Sequence, residues 1–306
     1  MMTNATEARR CAVLDARGLI AVSGPEARPF LQGLVSNDVH KVTAARAIYA
    51  VLLTPQGKFL HDFFVAELDD ALVFDCEAAR RDDLVRRLEF YRLRARVTIA
   101  PRDDLVVVAA FGAGALDALG LAADEGAARP LAGGIVYTDP RLAAAGARAV
   151  LPRPQGCAAI ETAGFAAAGA EAYDDHRLAL ALPDGSRDMP VERAFLIENG
   201  IDALNGIDFE KGCYIGQELT ARTRYRATIR KRLFRVDVDG PLPAPGAPVM
   251  LGDKRAGEMR SGRGAVGLAM LRLDLVERAT QTDERLTADA ACLTPVEPGW
   301  ARFQSE

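Results

Sequence analysis

Histidine and cysteine are scarce in this 306-residue chain, with three and five residues respectively. The histidines, His40, His61 and His176, form neither an HxH nor an HxxxH pair, and no two cysteines stand at the spacing of metal ligands. We therefore expect no preformed zinc site. The odd number of cysteines favours free thiols in a reducing compartment.

Long apolar runs are also absent. Residues 1–10 contain no apolar segment of the kind that signal peptides carry, and no later segment reaches the length that a bilayer requires. We therefore expect a cytoplasmic protein without a membrane partner. The formal net charge of -4 gives the whole molecule no attraction to nucleic acid, so any such contact needs a local basic patch.

The composition, with 49% hydrophobic and 26% charged residues, is typical of a soluble globular protein, and the length suggests two or three domains. Strand patterns at 48–54, 59–65 and 72–76, followed by helical apolar spacing from Leu84 to Tyr91, predict an α+β fold. Short alternating strands after Lys231 predict a small antiparallel β-barrel.

The candidate chemistry is concentrated at 211–218, which reads Lys-Gly-Cys-Tyr-Ile-Gly-Gln-Glu. Gly212 and Gly216 allow the backbone to turn on either side of Cys213. Helix formers from Gln217 onward place Cys213 just ahead of a helix N-terminus, where the helix dipole and the Lys211 cation would stabilise a thiolate. A small buried cysteine in a glycine turn explains these residues equally well.

Three further segments have two interpretations each. Asn37 and Asp38 are turn formers that could also bind a ligand. The arginines at 91–97 alternate as in a strand, which predicts either an anion-facing stripe or an ordinary exposed face. The arginines from Arg222 to Arg235 could hold a phosphate backbone or a polyanionic tail, or form a solvated surface.

The octapeptide at 211–218 resembles the signature of the YgfZ family, folate-binding proteins related to the aminomethyltransferase (T-protein) of the glycine cleavage system. Residues 24–32, 36–39, 53–58 and 91–94 are similar to further blocks of that superfamily. Residues 185–188, 220–223 and 230–234 look closest to the branch that includes the mitochondrial iron–sulfur assembly factor.

The resemblance implies a three-lobed ring of mixed α/β lobes and a C-terminal barrel around a central cavity that binds tetrahydrofolate. Its lobes would be 1–100 with 171–230, which carries the cysteine motif, then 101–170, and the barrel at 231–306. It also implies support of iron–sulfur cluster assembly or repair and, through such enzymes, of tRNA thiomethylation. The partners would be iron–sulfur client or assembly proteins, with tRNA only an indirect one, and we expect a monomer.

In family terms Cys213 is the functional thiol, and Lys211 and Asp62 complete the catalytic set. The residues expected around folate are Asn37, Asp38, Asp62, Tyr91, Arg94, Gln217, Glu218 and Arg222.

Two positions depart from the family pattern. The T-protein has two adjacent acids after its hairpin glycine, whereas this chain has His61 and Asp62. The pterin-binding glutamate is replaced by Ala179, whose methyl group accepts no hydrogen bond. Folate binding would then need Asp62, Glu192 or Glu198 as a substitute.

Two other functions stay open beside the iron–sulfur hypothesis, and the sequence does not decide whether the protein is an enzyme. One is a tetrahydrofolate-dependent aminomethyl or one-carbon transferase, with Asp62 as general base or iminium stabiliser. The other is a scaffold that binds a protein or tRNA through the arginines at 222–235.

Overall fold

The computed structural model describes residues 8–226, 229–282 and 284–301, and of Tyr225 and Arg226 the backbone alone. The first residues, on which part of the location prediction rests, lie outside these ranges. The strands are β1 (Arg10–Val13), β2 (Arg17–Ser23), β3 (Ile48–Leu53), β4 (Phe59–Leu68), β5 (Ala71–Glu77), β6 (Thr98–Pro101), β7 (Leu105–Phe111), β8 (Ala128–Leu131), β9 (Gly134–Thr138), β10 (Ala147–Pro152), β11 (Ala166–Ala167), β12 (Lys231–Asp239), β13 (Pro248–Leu251), β14 (Lys254–Arg263), β15 (Val266–Arg272), β16 (Leu286–Ala288) and β17 (Ala291–Val296). The α-helices are α1 (Ala27–Gln32), α2 (Arg81–Arg92), α3 (Ala115–Ala118), α4 (Ala158–Glu161), α5 (Ala170–Ala179), α6 (Gly185–Asp188), α7 (Gln217–Arg226) and α8 (Leu273–Thr282).

The first lobe is a five-stranded antiparallel sheet in the order β3-β4-β5-β2-β6. Every residue of β3 is buried, because its alternating side chains enter two different cores. Ile48 and Leu52 pack with α1 and α2, whereas Tyr49 and Leu53 belong to the core shared with the second sheet. The continuous apolar run at 48–54 therefore predicted the buried strand correctly.

The hairpin between β3 and β4 forms the edge on which the candidate site rests. The Thr54 amide donates to the Lys58 carbonyl over 2.8 Å, and Gly57 takes the left-handed φ of +67°. The turn predicted from the Pro-Gln-Gly-Lys sequence is confirmed.

The prediction of a strand across 91–97 is wrong. Tyr91 and Arg92 form the last turn of α2, and Leu93 ends the helix with a φ of +46°. The apolar spacing that starts at Leu84 continues to Tyr91 and keeps this segment helical. Arg94 follows as an exposed residue outside any strand.

The second lobe is a six-stranded sheet in the order β11-β1-β7-β10-β9-β8. β1 pairs with β7, with Ala12 opposite Ala109, so residues 10–13 lie in the second sheet although the predicted division gives them to the first lobe. Val107 on β7 faces the first sheet, and Val108 packs toward α3 and α4 on the outer face.

The C-terminal lobe is a closed barrel of β12-β15-β14-β13-β16-β17, in which every pairing is antiparallel. Its first strand begins at Lys231, where the pattern predicted the barrel to start. Leu275 and Ala279 of α8 pack into the barrel core. The prediction of an α+β fold with a small antiparallel barrel is confirmed.

Candidate functional site

Cys213 lies in an irregular segment, residues 208–216, that we call the thiol loop. Cys213 is exposed, whereas the other four cysteines are buried or partly buried. Helix α7 begins four residues later at Gln217, so the prediction of a cysteine ahead of a helix is confirmed. The thiol is thus displayed to solvent and is not part of the packing.

Lys211 fastens the thiol loop to the first lobe. Its ammonium donates to the carbonyls of Gln32, Val35 and Asn37 at 2.9, 2.6 and 2.8 Å. An ammonium has three N–H groups, so all of them are used by the backbone. Burial lowers the pKa of Lys211 to about 8, and Asp38 and Asp208 oppose that shift. The predicted pairing of this cation with the Cys213 thiolate is therefore replaced by a positioning role.

Asp208 holds the beginning of the same loop. One carboxylate oxygen accepts from the amides of Glu210 and Lys211 at 2.8 and 3.1 Å, and the other lies 2.7 Å from the Lys41 ammonium. The Asp208 amide donates to the Ser36 carbonyl over 3.0 Å. Burial acts against ionisation of Asp208, but Lys41 and the two amides hold its pKa below the usual range.

Asn37 and Asp38, which were expected near folate, support the backbone of this site. The Asn37 amide nitrogen donates to the carbonyls of Tyr49 and Asn205, both over 2.8 Å. The Asp38 carboxylate accepts from the His40 amide over 2.9 Å, and thereby caps a short helical turn. Their donors and acceptors fix the turn that receives Lys211.

Gly216 closes the thiol loop against the β3–β4 hairpin. Its φ is +83°, and a Cβ added there would lie 2.6 Å from the Thr54 carbonyl oxygen and 3.1 Å from the Gly57 Cα. Real Cβ atoms do not come this close to a backbone oxygen, so the position requires glycine. The two glycine-containing motifs, at 53–58 and 211–218, are therefore in direct contact.

Gln217, Glu218 and Arg222 follow on α7. The Gln217 side-chain oxygen accepts from the Tyr214 amide over 3.1 Å and so stabilises the backbone next to the thiol. Glu218 and Arg222 are exposed. Gln217 thus helps to fix the backbone of the thiol loop, and the predicted contacts of Gln217, Glu218 and Arg222 with folate stay predictions.

Tyr91 and Arg94, two further residues expected near folate, lie at the end of α2. Tyr91 packs partly buried against the core beneath that helix, and Phe90 beside it is 75% exposed. The Arg96 amide donates to the Glu26 carboxylate over 2.6 Å. Glu26 precedes α1, and Gln32 ends it. The segment from the end of α2 to Arg96 and the thiol loop are therefore attached to opposite ends of one short helix.

Asp62 is enclosed in the interior and is 4% exposed. The Tyr49 hydroxyl donates to its carboxylate over 3.0 Å, and Gly185 leaves room for the other oxygen. Burial raises the pKa of Asp62, Asp184 adds to that effect, and Arg17 and Tyr49 oppose it. A general base has to reach its substrate, and this carboxylate is covered by its own protein.

Buried ion pairs join the three lobes, and the sequence analysis did not predict them. Asp75 on β5 accepts from Arg17 over 2.6 Å and from Arg148 on β10 over 2.5 Å, which connects the two sheets. Arg177 on α5 donates to Asp188 and to Ser261 of the barrel, both over 2.8 Å. A charge inside an apolar strand pattern, such as Asp75 at 71–77, was the available signal.

The residues present do not fit a pterin bound in the manner of the family. Ala179 is exposed at the end of α5 and offers no acceptor. Glu192 lies 3.6 Å from Arg87, Glu198 lies 3.2 Å from Lys231, and Asp62 is engaged by Tyr49. The three acids proposed as substitutes therefore already have partners.

The arginines from 222 to 235 do not form one free patch. The Arg224 guanidinium lies 3.9 Å from the Phe209 ring centroid, Arg232 donates to the Ile197 carbonyl, and Arg235 pairs with Asp237. The side chain of Arg226 lies outside the described part of the chain. Much of this predicted polyanion surface thus serves local packing.

Comparison with known domain families and solved structures identifies the fold class of the chain. Residues 7–128 match the GCVT N-terminal domain family, and residues 230–303 match the CAF17 C-terminal beta-barrel domain family. The crystal structure of glycine cleavage system aminomethyltransferase T from Bartonella henselae aligns with a TM-score of 0.76, at 17% identity, over 95% of this chain and 86% of its own. The chain is therefore a protein of the GcvT-like aminomethyltransferase fold with a closed C-terminal barrel.

Proteins of similar sequence identify the family to which the chain belongs. Iron-sulfur cluster assembly factor IBA57, mitochondrial, from Homo sapiens is 37% identical over 279 residues, or 85% of this chain and 77% of its own. The protein of the same name from Mus musculus is 34% identical over 95% of this chain and 85% of its own. The chain belongs to the IBA57 family of iron–sulfur cluster assembly factors.

The predicted cytoplasmic location is wrong, because the human, mouse and Neurospora crassa relatives are all named as mitochondrial proteins. Among the described residues no helix has both the length and the apolar character needed to cross a bilayer.

Proposed function

We propose that this protein supports the assembly or repair of iron–sulfur clusters and that the Cys213 thiolate is the group that meets the cluster. The observation that carries the proposal is an exposed thiol on a loop whose backbone is fixed by Lys211 and Gly216. The names of the IBA57 relatives support the assembly role.

The chemistry assigned to Cys213 is ligation of iron. Its thiol loses a proton, and the sulfur then coordinates one iron of a cluster, which is the usual protein ligation of such clusters. Clusters of this kind have four protein ligands, whereas the described thiol loop offers one cysteine. A partner that carries the cluster therefore supplies the remaining ligands, which fits the proposed iron–sulfur client or assembly protein.

The partner's contact surface includes the end of α2. Phe90 and Leu93 are 75% and 86% exposed, and both belong to the segment that α1 connects to the thiol loop. Large exposed apolar side chains of this kind mark protein contacts. Arg94 stands next to Leu93 and is exposed, which favours an acidic partner.

Complementation tests the role of the thiol. A strain that lacks its own family member receives the wild-type chain, Cys213→Ala or Cys292→Ala, and the activity of iron–sulfur enzymes is measured. We expect Cys213→Ala to restore nothing and Cys292→Ala, a partly buried barrel cysteine, to restore the wild-type activity. Full restoration by Cys213→Ala would remove the thiol from the mechanism.

Tetrahydrofolate binding stays a prediction and is separate from this role. Calorimetric titration of the wild type and of Asp62→Ala with tetrahydrofolate tests it, and we expect weak or no binding because the acceptor residues are absent or engaged. The enclosure of Asp62 also disfavours an aminomethyl transferase. Any effect on tRNA thiomethylation would follow indirectly from the client enzymes.

A further inference from the structure

Two cysteines far apart in sequence meet in the second lobe. The Sγ atoms of Cys11 and Cys157 and a carboxylate oxygen of Glu161 all lie within 4.8 Å of one another. Cys11 comes from β1, and Cys157 and Glu161 stand at the beginning and the end of α4. We infer that these three side chains form a binding site for a borderline-soft divalent cation, with Zn²⁺ as the best match.

The fold, and not a sequence motif, creates this arrangement. Strand β1 lies between β11 and β7, which puts Cys11 in the core on the outer face of the sheet with no exposed surface. The Glu161 amide donates to the Cys157 carbonyl over 2.8 Å, so one helical turn holds the thiol and the carboxylate on the same side. Spacing along the chain could not reveal the pair.

The donor set matches the preference of zinc. Two thiolates and one carboxylate are ligands that Zn²⁺ accepts, and three protein ligands leave a fourth position for water. Tetrahedral Zn–S bonds place two sulfur atoms about 3.8 Å apart. Cys157 is partly buried and Glu161 is exposed, so small rotations of their side chains can close the site around an ion.

Among the described residues the Glu161 carboxylate makes no ion pair, and the Cys11 and Cys157 thiols interact with each other. Free cysteine thiols carry their protons at neutral pH. Binding of Zn²⁺ releases one proton from each of them and leaves a dication with three anionic ligands.

Titration of the reduced, metal-free full chain with Co²⁺ tests the site. Wild type is expected to bind one Co²⁺ per chain with sulfur-to-metal charge-transfer absorption, to release two protons, and to give up the Co²⁺ to added Zn²⁺. Cys157→Ser should lose the absorption, and Glu161→Gln should weaken binding. Both positions are accessible, so these variants test the site even where Cys11→Ser fails to fold.

The control separates this site from the iron–sulfur role. Cys213→Ser should retain the Co²⁺ absorption in full, because Cys213 belongs to another lobe. Absence of cobalt–thiolate absorption in the reduced wild type would overturn the inference. So would unchanged absorption in Cys157→Ser, or its loss in Cys213→Ser.

Discussion

The Lys211 ammonium donates a hydrogen bond of 2.8 Å to the carbonyl of Asn37. Two more bonds from the same group reach Gln32 and Val35, so one side chain satisfies three carbonyls at the end of α1 and just beyond it. A lysine next to a cysteine suggests an electrostatic activator, but here it sets the position of the loop. The rigidity of the displayed thiol follows from this contact.

Lys211→Met should therefore loosen the thiol loop. The substitution keeps the apolar stem but leaves three carbonyls without their donor, which costs about 1.5–3 kcal/mol of unfolding free energy. Urea unfolding measures this loss, and hydrogen exchange should accelerate at 208–216. Lys41→Met removes an ion pair whose lysine is 52% exposed, so its cost should stay below about 1 kcal/mol. Equal losses in the two variants would refute the positioning role.

Cys213 should be the thiol that reagents reach first. We expect iodoacetamide to modify one thiol in a fast phase under native conditions, because Cys213 is exposed while Cys11 and Cys76 are buried. Mass spectrometry of peptides identifies the modified residue. The fast phase should disappear in Cys213→Ser and persist in Cys292→Ser. Fast modification of Cys76 would contradict the described burial.

His61 makes the stability depend on pH. The ring is 2% exposed and lies 2.8 Å from Asp83, and burial lowers its pKa to about 4, with Arg80 adding to that shift and Asp83 opposing it. Below pH 6.5 the His61 ring binds a proton in the unfolded chain, whereas in the folded chain the ring stays neutral down to about pH 4. Stability supplied by the neutral ring is thus complete above pH 6.5 and is lost as the pH falls toward 4, by up to about 3 kcal/mol.

The variant His61→Gln should lose less unfolding free energy than wild type between pH 6.5 and 4.5. His40→Gln is the control, because His40 is exposed and should leave the wild-type profile unchanged. Identical pH profiles for wild type and His61→Gln would show that the buried ring does not titrate in this way.

Short sequence patterns predicted the elements that neighbouring residues along the chain determine. β3 was visible as a continuous apolar run, and the Cys213 motif was visible because two glycines and a helix start surround it. The segment at 91–97 misled because alternating arginines mimic a strand, whereas the apolar face of α2 extends to Tyr91 and decides its conformation.

Features that depend on the approach of distant segments were not predicted. The pairing of Asp75 with Arg148 needs the two sheets to face each other, and the meeting of Cys11 with Cys157 needs α4 to fold over β1. The role of Lys211 was missed for the same reason, since its acceptors lie on a turn far back in the sequence. Such contacts are set by topology, and no short-range pattern records them.

The exposed end of α2 should matter for function more than for stability. Leu93→Gly removes an apolar side chain and relieves a φ of +46°, so its unfolding free energy should stay within about 1 kcal/mol of wild type. Cluster-dependent enzyme activity in complemented cells should nevertheless fall, as it should for Phe90→Ser. Leu242→Ser alters another exposed apolar side chain, on the barrel lobe, and should have no effect. Normal activity in Phe90→Ser and Leu93→Gly would exclude this surface from partner binding.

Gly216 and Gly212 offer a matched pair of glycines on either side of the thiol. A Cβ at Gly216 would lie 2.6 Å from the Thr54 carbonyl oxygen and 2.9 Å from the Leu53 Cβ, with a φ of +83°, whereas a Cβ at Gly212 meets nothing within 4 Å. Gly216→Ala must therefore push the thiol loop away from the hairpin, and we expect a loss of about 1–3 kcal/mol in unfolding free energy together with loss of complementation. Gly212→Ala should preserve both stability and complementation. If both variants complement equally, the fixed placement of Cys213 against the hairpin is unnecessary, and the thiol acts from a flexible loop.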